Sequence, residues 1–313
     1  MSQESISGSN NLHEPQSPPT DPSCLIWQQV RARLTPHAYP DSRFHHDFSV
    51  FIPDFQGSAS AADHIASMDC YRTAKTIFTT PDNSLQNLRY RALRDGKKLV
   101  VATYELRRGF LLLDPRSTEA VRFEYASCAD GMEKPGIGRH VTLAKLQEEG
   151  VQVDLYIAGS WVVSQNGMPL WRANDMSSLS WHMLADIGVL SPQAPTLTLV
   201  HSSQVLQAER MQTKTKSEPN DVQYDFVVTE STAIHIPDAV RPPLSDLWLD
   251  RVSDELIHAM PPLQELKGIK IMERIMREVG LGPSKEVREP TTPNAEEQMG
   301  IDIATRILKG YRV

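Results

Sequence analysis

The sequence has few cysteines, no long apolar run and no excess of positive charge. Its 3 cysteines, Cys24, Cys70 and Cys128, lie far apart without a C-x-x-C motif, which argues against a disulfide scaffold or a zinc ribbon. The formal net charge is −7, so the chain as a whole lacks the basic footprint that binds nucleic acid or an anionic membrane surface. No stretch reaches the roughly 18 apolar residues of a membrane span, and residues 1–22 resemble neither a signal peptide nor a transit peptide. We therefore expect a cytoplasmic protein, with a nuclear location left open.

The chain has the composition of a soluble globular protein, with 40% hydrophobic and 23% charged residues. Residues 1–22 are Ser, Asn, Gln and Pro with almost no large apolar side chain, and such a segment is predicted to be a disordered leader. A single α/β domain is predicted over residues 23–266, followed by a helical C-terminal extension over residues 267–313. This extension contains a linker rich in Pro, Glu and Thr (283–295) and an amphipathic helix (296–308). We expect that helix either to pack on its own core or to bind a protein partner.

Predicted strands and helices alternate along the predicted domain. Apolar and β-branched runs predict strands within residues 71–80, 98–103, 153–164, 196–205 and 224–236, the last containing two short strands. Helical patterns fall between them, at residues 84–95, 143–150 and 178–190, the first two closed by glycines. The near-continuous apolar run 153–164 is typical of a strand buried on both faces. This alternation predicts a three-layer α/β fold with a mostly parallel, doubly wound sheet.

Five segments, in this order, resemble a known family: FSVFIPDFQG (48–57), KLVVATYELRRGF (98–110), VDLYIAGSWVVSQNG (153–167), LVHSSQV (199–205) and RPP (241–243). The family is the 5-formyltetrahydrofolate cyclo-ligases, in the branch of methenyltetrahydrofolate synthetase domain-containing proteins. The resemblance covers roughly residues 25–266. It implies the layered α/β fold of ribose-5-phosphate isomerase and the CoA transferases.

The resemblance also implies a reaction, an ATP- and Mg²⁺-dependent ring closure on a folate. In that reaction ATP phosphorylates the N5-formyl oxygen, N10 attacks the activated carbon and phosphate leaves, giving 5,10-methenyltetrahydrofolate. The family's Gly-x-Gly-x-Gly-Tyr-x-Asp loop follows the glycine that matches Gly167, but here residues 168–178 read MPLWRANDMSS, and no glycine occurs before Gly188. The family's N-terminal Lys-x-x-x-Arg falls near Ser23 and Trp27. We therefore expect a degenerate ATP-binding loop and an affinity for ATP weaker than about millimolar.

Candidate site residues follow from the matched segments and from the ends of predicted strands. The ligand-binding candidates are Arg107 and Gly109 of the Leu-Arg-x-Gly element, Gly159 and Ser160 at the end of a central strand, and Arg172 in the altered loop. His201 and Asp175 are the candidates for acid/base chemistry. Each has a structural alternative: a strand-end turn for Arg107 and Gly109, a hydrogen-bonded structural histidine for His201, and a solvated loop for Arg172 and Asp175. No metal site is expected, because His45 and His46 have no second ligand cluster at suitable spacing.

Three functions remain open at this point, and whether the protein is an enzyme is open with them. The first is a diverged ATP-using ligase acting on a folate or another N-acyl substrate. The second is a non-catalytic homologue that binds a small-molecule ligand or serves as an interaction module. The third is the same scaffold recruited to nucleotide-independent acid/base chemistry, such as an isomerisation or a dehydration. Nucleic-acid binding is not expected, because residues 267–313 are too short for the RNA-recognition domain that some branch members carry.

Overall fold

The computed structural model describes residues 22–170, 176–207, 221–244 and 248–278. Contacts divide the chain into two units, one ending at Lys267 and the other beginning at Gly268. The helices are α1 Pro22–Leu34, α2 Ser58–Ser67, α3 Asp69–Thr73, α4 Gln86–Arg94, α5 Phe123–Ser127, α6 Ala129–Met132, α7 Leu143–Glu148, α8 Met176–Asp186, α9 Asp254–Ala259 and α10 Pro261–Glu278. The strands are β1 Thr76–Thr79, β2 Lys98–Ala102, β3 Phe110–Leu113, β4 Arg139–Val141, β5 Leu155–Gly159, β6 Val163–Ser164, β7 Thr196–Leu199, β8 Val205–Leu206, β9 Phe226–Val228 and β10 Ala233–His235.

Eight strands form the main sheet in the order β10-β9-β7-β5-β1-β2-β3-β4. Five central strands, β9, β7, β5, β1 and β2, all run parallel to one another. At the two edges of the sheet, β10 pairs antiparallel with β9, β3 with β2, and β4 with β3. From β1 the chain builds the sheet in one direction to β4, and then returns to the other side of β1 with β5. The predicted fold class, an α/β fold with a mostly parallel, doubly wound sheet, is therefore confirmed, and its switch point lies between β1 and β5.

The central strands are apolar because both of their faces are covered. All residues of β1, β3, β5 and β7 are buried, and in the register Ile77 of β1 lies between Leu99 of β2 and Leu155 of β5. These three side chains belong to one hydrophobic cluster with residues of α2, α4 and α5. Burial of continuous Ile, Leu and Val runs on a parallel sheet is what the sequence pattern predicts.

Two predicted strands are shorter than their apolar runs. The run 153–164 contains β5, which ends at Gly159, and β6, which pairs with β8 in a separate two-stranded sheet. The run 196–205 is likewise interrupted, by a short 3₁₀ helix at Ser202–Gln204. The Gln204 side chain bridges the two breaks, since its Nε2 donates to the carbonyl oxygens of Ser160 (2.7 Å) and Trp161 (3.2 Å). A side chain thus satisfies backbone groups that would otherwise need a strand partner.

The predicted helices at 84–95, 143–150 and 178–190 are present as α4, α7 and α8, within a few residues at their ends. Gly96 and Gly150 follow the first two with φ of 77° and 62°, left-handed conformations typical of the residue that ends a helix. The leader, the linker 283–295 and the helix 296–308 lie outside the described residues and stay predictions. No helix in the described ranges is long and apolar enough to cross a membrane.

Candidate functional site

A cavity of about 350 Å³ lies at the carboxyl ends of β1, β2 and β5. Its lining includes Thr80–Asn83 directly after β1, Thr103–Glu105 after β2, and Gly159 at the end of β5. The switch point of an open α/β sheet leaves a crevice at this edge, because the chain departs in opposite directions from neighbouring strands. The cavity volume falls near the lower end of the range of about 300–1,000 Å³ typical of ligand pockets.

The floor of the cavity is built around the carboxylate of Asp82. The Gly159 N–H donates to Asp82 Oδ2 and to Thr80 Oγ1, both at 3.1 Å, and the Thr80 hydroxyl donates to Asp82. A Cβ at position 159 would lie 2.5 Å from Asp82 Oδ2, far inside van der Waals contact. Gly159 is therefore required by close approach, and it joins the ends of β5 and β1 through the Asp82 side chain.

Aromatic side chains form one wall of the cavity. Tyr104 and Phe51 line it, and Phe44 stacks on both rings, with centroid distances of 5.4 and 5.6 Å. Trp161, which follows β5, also lines the cavity, and its Nε1 donates to the Phe48 carbonyl oxygen at 2.8 Å. These contacts fix the ring planes, so the wall offers a rigid apolar surface to a flat ligand.

The mouth of the cavity is charged, and its backbone is strained. Glu105 and Leu106 are consecutive non-glycine residues in the left-handed region, with φ of 51° and 54°. Glu105 lines the cavity and forms an ion pair with Arg107, which also lines it. The Thr103 hydroxyl donates to the Gly109 carbonyl oxygen at 2.9 Å and so closes this loop. Two strained residues cost on the order of 1–3 kcal/mol each and occur preferentially in ligand sites.

A second charged group, centred on the buried carboxylate of Asp41, fixes the segment that precedes α2. Asp41 accepts hydrogen bonds from the Arg43 side chain (3.1 Å) and from Asn83 Nδ2 (2.6 Å). Burial alone would raise the pKa of Asp41, but these hydrogen bonds together lower it to about 2. Arg43 and Asn83 both line the cavity, so the Asp41 carboxylate holds one wall against the floor.

Ser160 lies one layer behind the cavity. Its hydroxyl accepts from Thr198 Oγ1 at 3.1 Å and lies 3.4 Å from the hydroxyl of Tyr224, which in turn lies 3.1 Å from Ser177 Oγ. Ser177 belongs to α8 and lines the cavity. Ser160 is therefore linked to the cavity through a chain of buried hydroxyl groups instead of contacting it directly.

The predicted acid/base histidine, His201, lies outside the cavity lining. Its ring accepts from the Ser203 N–H at 3.2 Å and so caps the 3₁₀ helix at Ser202–Gln204. The ring stacks on His37 at a centroid distance of 4.5 Å, and Nε2 is 3.8 Å from Glu230 Oε1. Burial lowers the pKa of His201, which favours the neutral ring. These contacts are those of the structural alternative for His201.

The other predicted site residues fall into three groups. Gly159 and Arg107 line the cavity. Gly109 lies in the turn behind the mouth, with φ of 73°. Arg172 and Asp175 lie in residues 171–175, outside the described part of the chain, so the pairing of His201 with Asp175 stays a prediction.

Comparison with known proteins supports the resemblance seen in the sequence. The mouse (Mus musculus) methenyltetrahydrofolate synthase domain-containing protein is 28% identical over 247 residues, which cover 77% of this chain and 63% of the mouse protein. The bovine (Bos taurus) protein of that name is 28% identical over 216 residues, 69% of this chain and 54% of the bovine protein. The chain is homologous to the methenyltetrahydrofolate synthase domain-containing proteins. It spans between about half and two thirds of the length of these relatives.

A solved structure, the 5,10-methenyltetrahydrofolate synthetase of Aquifex aeolicus, aligns with a TM-score of 0.42 and 13% identity over 70% of this chain and 94% of that chain. No family model matches the chain.

The cavity also contains residues that the sequence alone did not mark as functional. Asp82, Thr80, Tyr104 and Arg43 are not among the site residues predicted from the sequence. A usable signal was present for three of them, because Thr80, Asp82 and Tyr104 directly follow buried strands, where the residues of an open α/β sheet meet its ligands. Arg43 comes from a segment without regular structure, and no pattern marks it.

The described lining does not fit the triphosphate and metal ion that the family resemblance implies. It carries three carboxylates (Asp82, Glu105 and Glu133) and two guanidinium groups (Arg43 and Arg107), and each guanidinium is paired with a carboxylate. Gly159 is the one glycine among the lining residues that the structure describes. Within the same part of the chain, no group of three or more His, Cys, Asp or Glu side chains could hold a metal ion. A triphosphate needs several backbone N–H groups and surplus positive charge, which these residues do not supply.

Proposed function

We propose that this protein is a diverged cyclo-ligase-like protein that binds a folate, or another planar N-acyl compound, in the cavity at the carboxyl ends of β1, β2 and β5. The observation that carries the proposal is the juxtaposition of the anchored Asp82 carboxylate with the aromatic wall of Tyr104 and Phe51. The homology to methenyltetrahydrofolate synthase domain-containing proteins favours a folate over other planar compounds.

Different groups in the cavity can bind different parts of such a ligand. A carboxylate on the floor accepts hydrogen bonds from the ring N–H and amino groups of a heterocycle. The aromatic wall provides a surface on which the ring can stack. Arg43 and Arg107 at the edge can donate to an acidic group, because a guanidinium has five N–H donors and the ion pairs with Asp41 and Glu105 use only some of them.

The same residues argue for binding without efficient ATP-driven ring closure. The described lining has more carboxylates than guanidinium groups, so a triphosphate would meet repulsion. We therefore expect the affinity for ATP to be weaker than about millimolar. Any ring closure would then be slow at ordinary ATP concentrations.

The test is a calorimetric titration of the full chain with 5-formyltetrahydrofolate, with and without ATP and Mg²⁺. We expect saturable binding that Asp82→Asn weakens by about tenfold or more, because one hydrogen bond to a charged group contributes about 1.5–3 kcal/mol. Asp63→Asn is the matched control, since Asp63 is exposed and pairs with Arg91 on the surface. The proposal fails if the wild-type protein does not bind the folate, or if the two variants bind it equally well.

A parallel assay follows the absorbance of the methenyl product after ATP and Mg²⁺ are added. A rate well above the protein-free control, together with micromolar ATP binding in the calorimeter, would contradict the expectation of weak nucleotide binding. It would show that residues outside the described lining supply the phosphate contacts.

A further inference from the structure

Arg89 of α4 is a charged side chain buried to 0% exposure. Its three hydrogen bonds all go to backbone carbonyl oxygens: Nε donates to Ser127 (2.7 Å), and Nη1 donates to Thr80 (2.9 Å) and Asp82 (3.1 Å). Its Nη2 has no hydrogen-bond partner among the described residues. The hydrogen bonds of the guanidinium therefore stabilise backbone groups, and it interacts with the Asp82 and Asp54 carboxylates through its charge alone.

The three carbonyl groups belong to two different parts of the cavity. Thr80 and Asp82 flank Pro81 in the floor. Ser127 is the last residue of α5, and the next helix, α6, contributes Ala129 and Met132 to the cavity lining. One planar side chain thus connects the backbone of the Thr80–Asp82 floor to the backbone at the end of α5, directly before the lining residues of α6.

The position is energetically costly. Burying a cation that is not hydrogen-bonded to a carboxylate is unfavourable, and an apolar side chain of similar volume would avoid this cost. Burial lowers the pKa of Arg89 to about 10, so the group is still protonated at neutral pH. The charges of Asp82 and Asp54 offset part of the effect of burial on the pKa of Arg89.

We propose that Arg89 is a positioning residue for the cavity, which holds the Thr80–Asp82 floor against the α5–α6 wall so that the Asp82 carboxylate faces the ligand. The part of the test that uses a ligand rests on the folate binding proposed above. A second measurement, made without ligand, tests the positioning role independently.

The variants are Arg89→Lys and Arg89→Met, compared with Leu93→Ala. Lysine keeps the charge, but its single ammonium group cannot reproduce the planar fork that reaches both segments. Leu93 is a buried core residue of the same helix, and its apolar side chain cannot donate a hydrogen bond to the floor backbone. Leu93→Ala is expected to lower the melting temperature without changing the cavity, whose lining does not include Leu93. It therefore controls for stability loss alone.

Without ligand, hydrogen exchange followed by mass spectrometry is measured on peptides covering residues 80–85 and 127–133. We expect both regions to exchange at least tenfold faster in Arg89→Lys than in the wild type, with a smaller, uniform change in Leu93→Ala. Equal exchange in Arg89→Lys and the wild type would overturn the proposal. If Arg89→Met does not fold, Arg89→Lys decides.

With 5-formyltetrahydrofolate as the probe, Arg89→Lys should bind about tenfold more weakly, while Leu93→Ala should bind like the wild type. A purely structural role predicts instead that affinity falls in step with stability in both variants, and that result would also overturn the proposal. If the wild type does not bind the probe, the folate proposal fails, whereas the exchange measurement still decides the role of Arg89.

Discussion

Replacing Gly159 by alanine is the sharpest test of how the cavity floor is built. The new methyl group would lie 2.5 Å from Asp82 Oδ2 and 2.9 Å from its Cγ, so the carboxylate must move away. Overpacking of this kind costs about 1–3 kcal/mol, and loss of the hydrogen bond from the Gly159 N–H to the carboxylate costs about 1.5–3 kcal/mol. We therefore expect Gly159→Ala to lower the free energy of unfolding by about 2.5–6 kcal/mol.

Urea denaturation of the full chain measures this loss, and two further variants test its cause. Gly268→Ala is the control, because Gly268 lies within α10 with no atom within 4 Å of the added methyl group. There the same substitution should stabilise by up to about 1 kcal/mol. Asp82→Ala removes the group that clashes, so the cost of Gly159→Ala should be smaller in that background. An unchanged stability in Gly159→Ala, or strict additivity in the double variant, would refute the account of the floor.

Two other predictions concern the walls and the mouth. Since hydrogen bonds lower the pKa of Asp41 to about 2, the stability it contributes is present above about pH 4 and is lost as the pH falls toward 2. Urea unfolding near both pH values should show about 2 kcal/mol less acid-induced loss in Asp41→Asn than in the wild type, and equal losses would contradict this. Gly109→Ala should destabilise more than Gly96→Ala: both residues have positive φ (73° and 77°), but only at Gly109 would the methyl group meet Pro262, at 3.3 Å. Thermal melts compare the two, and equal melting temperatures would count against a tight contact.

The fold was largely predictable because its main determinant is local in sequence. Parallel strands covered on both faces must be continuous apolar runs, and the helices between them carry their own glycine ends. The antiparallel strands β3 and β4 were not predicted. β4, Arg139–Val141, has two exposed residues and no apolar run, so its pairing with β3 depends on a contact between distant segments. The helix α2 was also missed, because its small residues, alanine and serine, give only a weak apolar stripe.

The ends of the strands were harder to predict than their existence. The sequence 153–164 is a near-continuous apolar run, yet the main sheet stops at Gly159 because the backbone there turns to bond with the Asp82 and Thr80 side chains. Those partners are more than 70 residues away in the chain, and no periodicity within residues 153–164 could show them. The resemblance to a family placed Gly159 and Arg107 in the site. It did not distinguish their roles, which depend on contacts with Asp82 and Glu105.

The interruption of the strands and the existence of the cavity have one cause. If the run 153–164 continued as a strand, its backbone groups would be paired within the sheet and would fill the space above the end of β1. Because β5 ends at Gly159, Asp82 and Gln204 side chains satisfy the freed backbone groups, and the space between the departing chains stays open. This arrangement involves residues on β1, β5 and the segment after β7, and none of them belongs to the loop 168–178 that differs from the family pattern. The floor therefore does not depend on this loop, although Met176 and Ser177 at the end of the loop contribute to the cavity lining. The proposed binding of a planar ligand and the expected loss of nucleotide affinity can thus be tested separately.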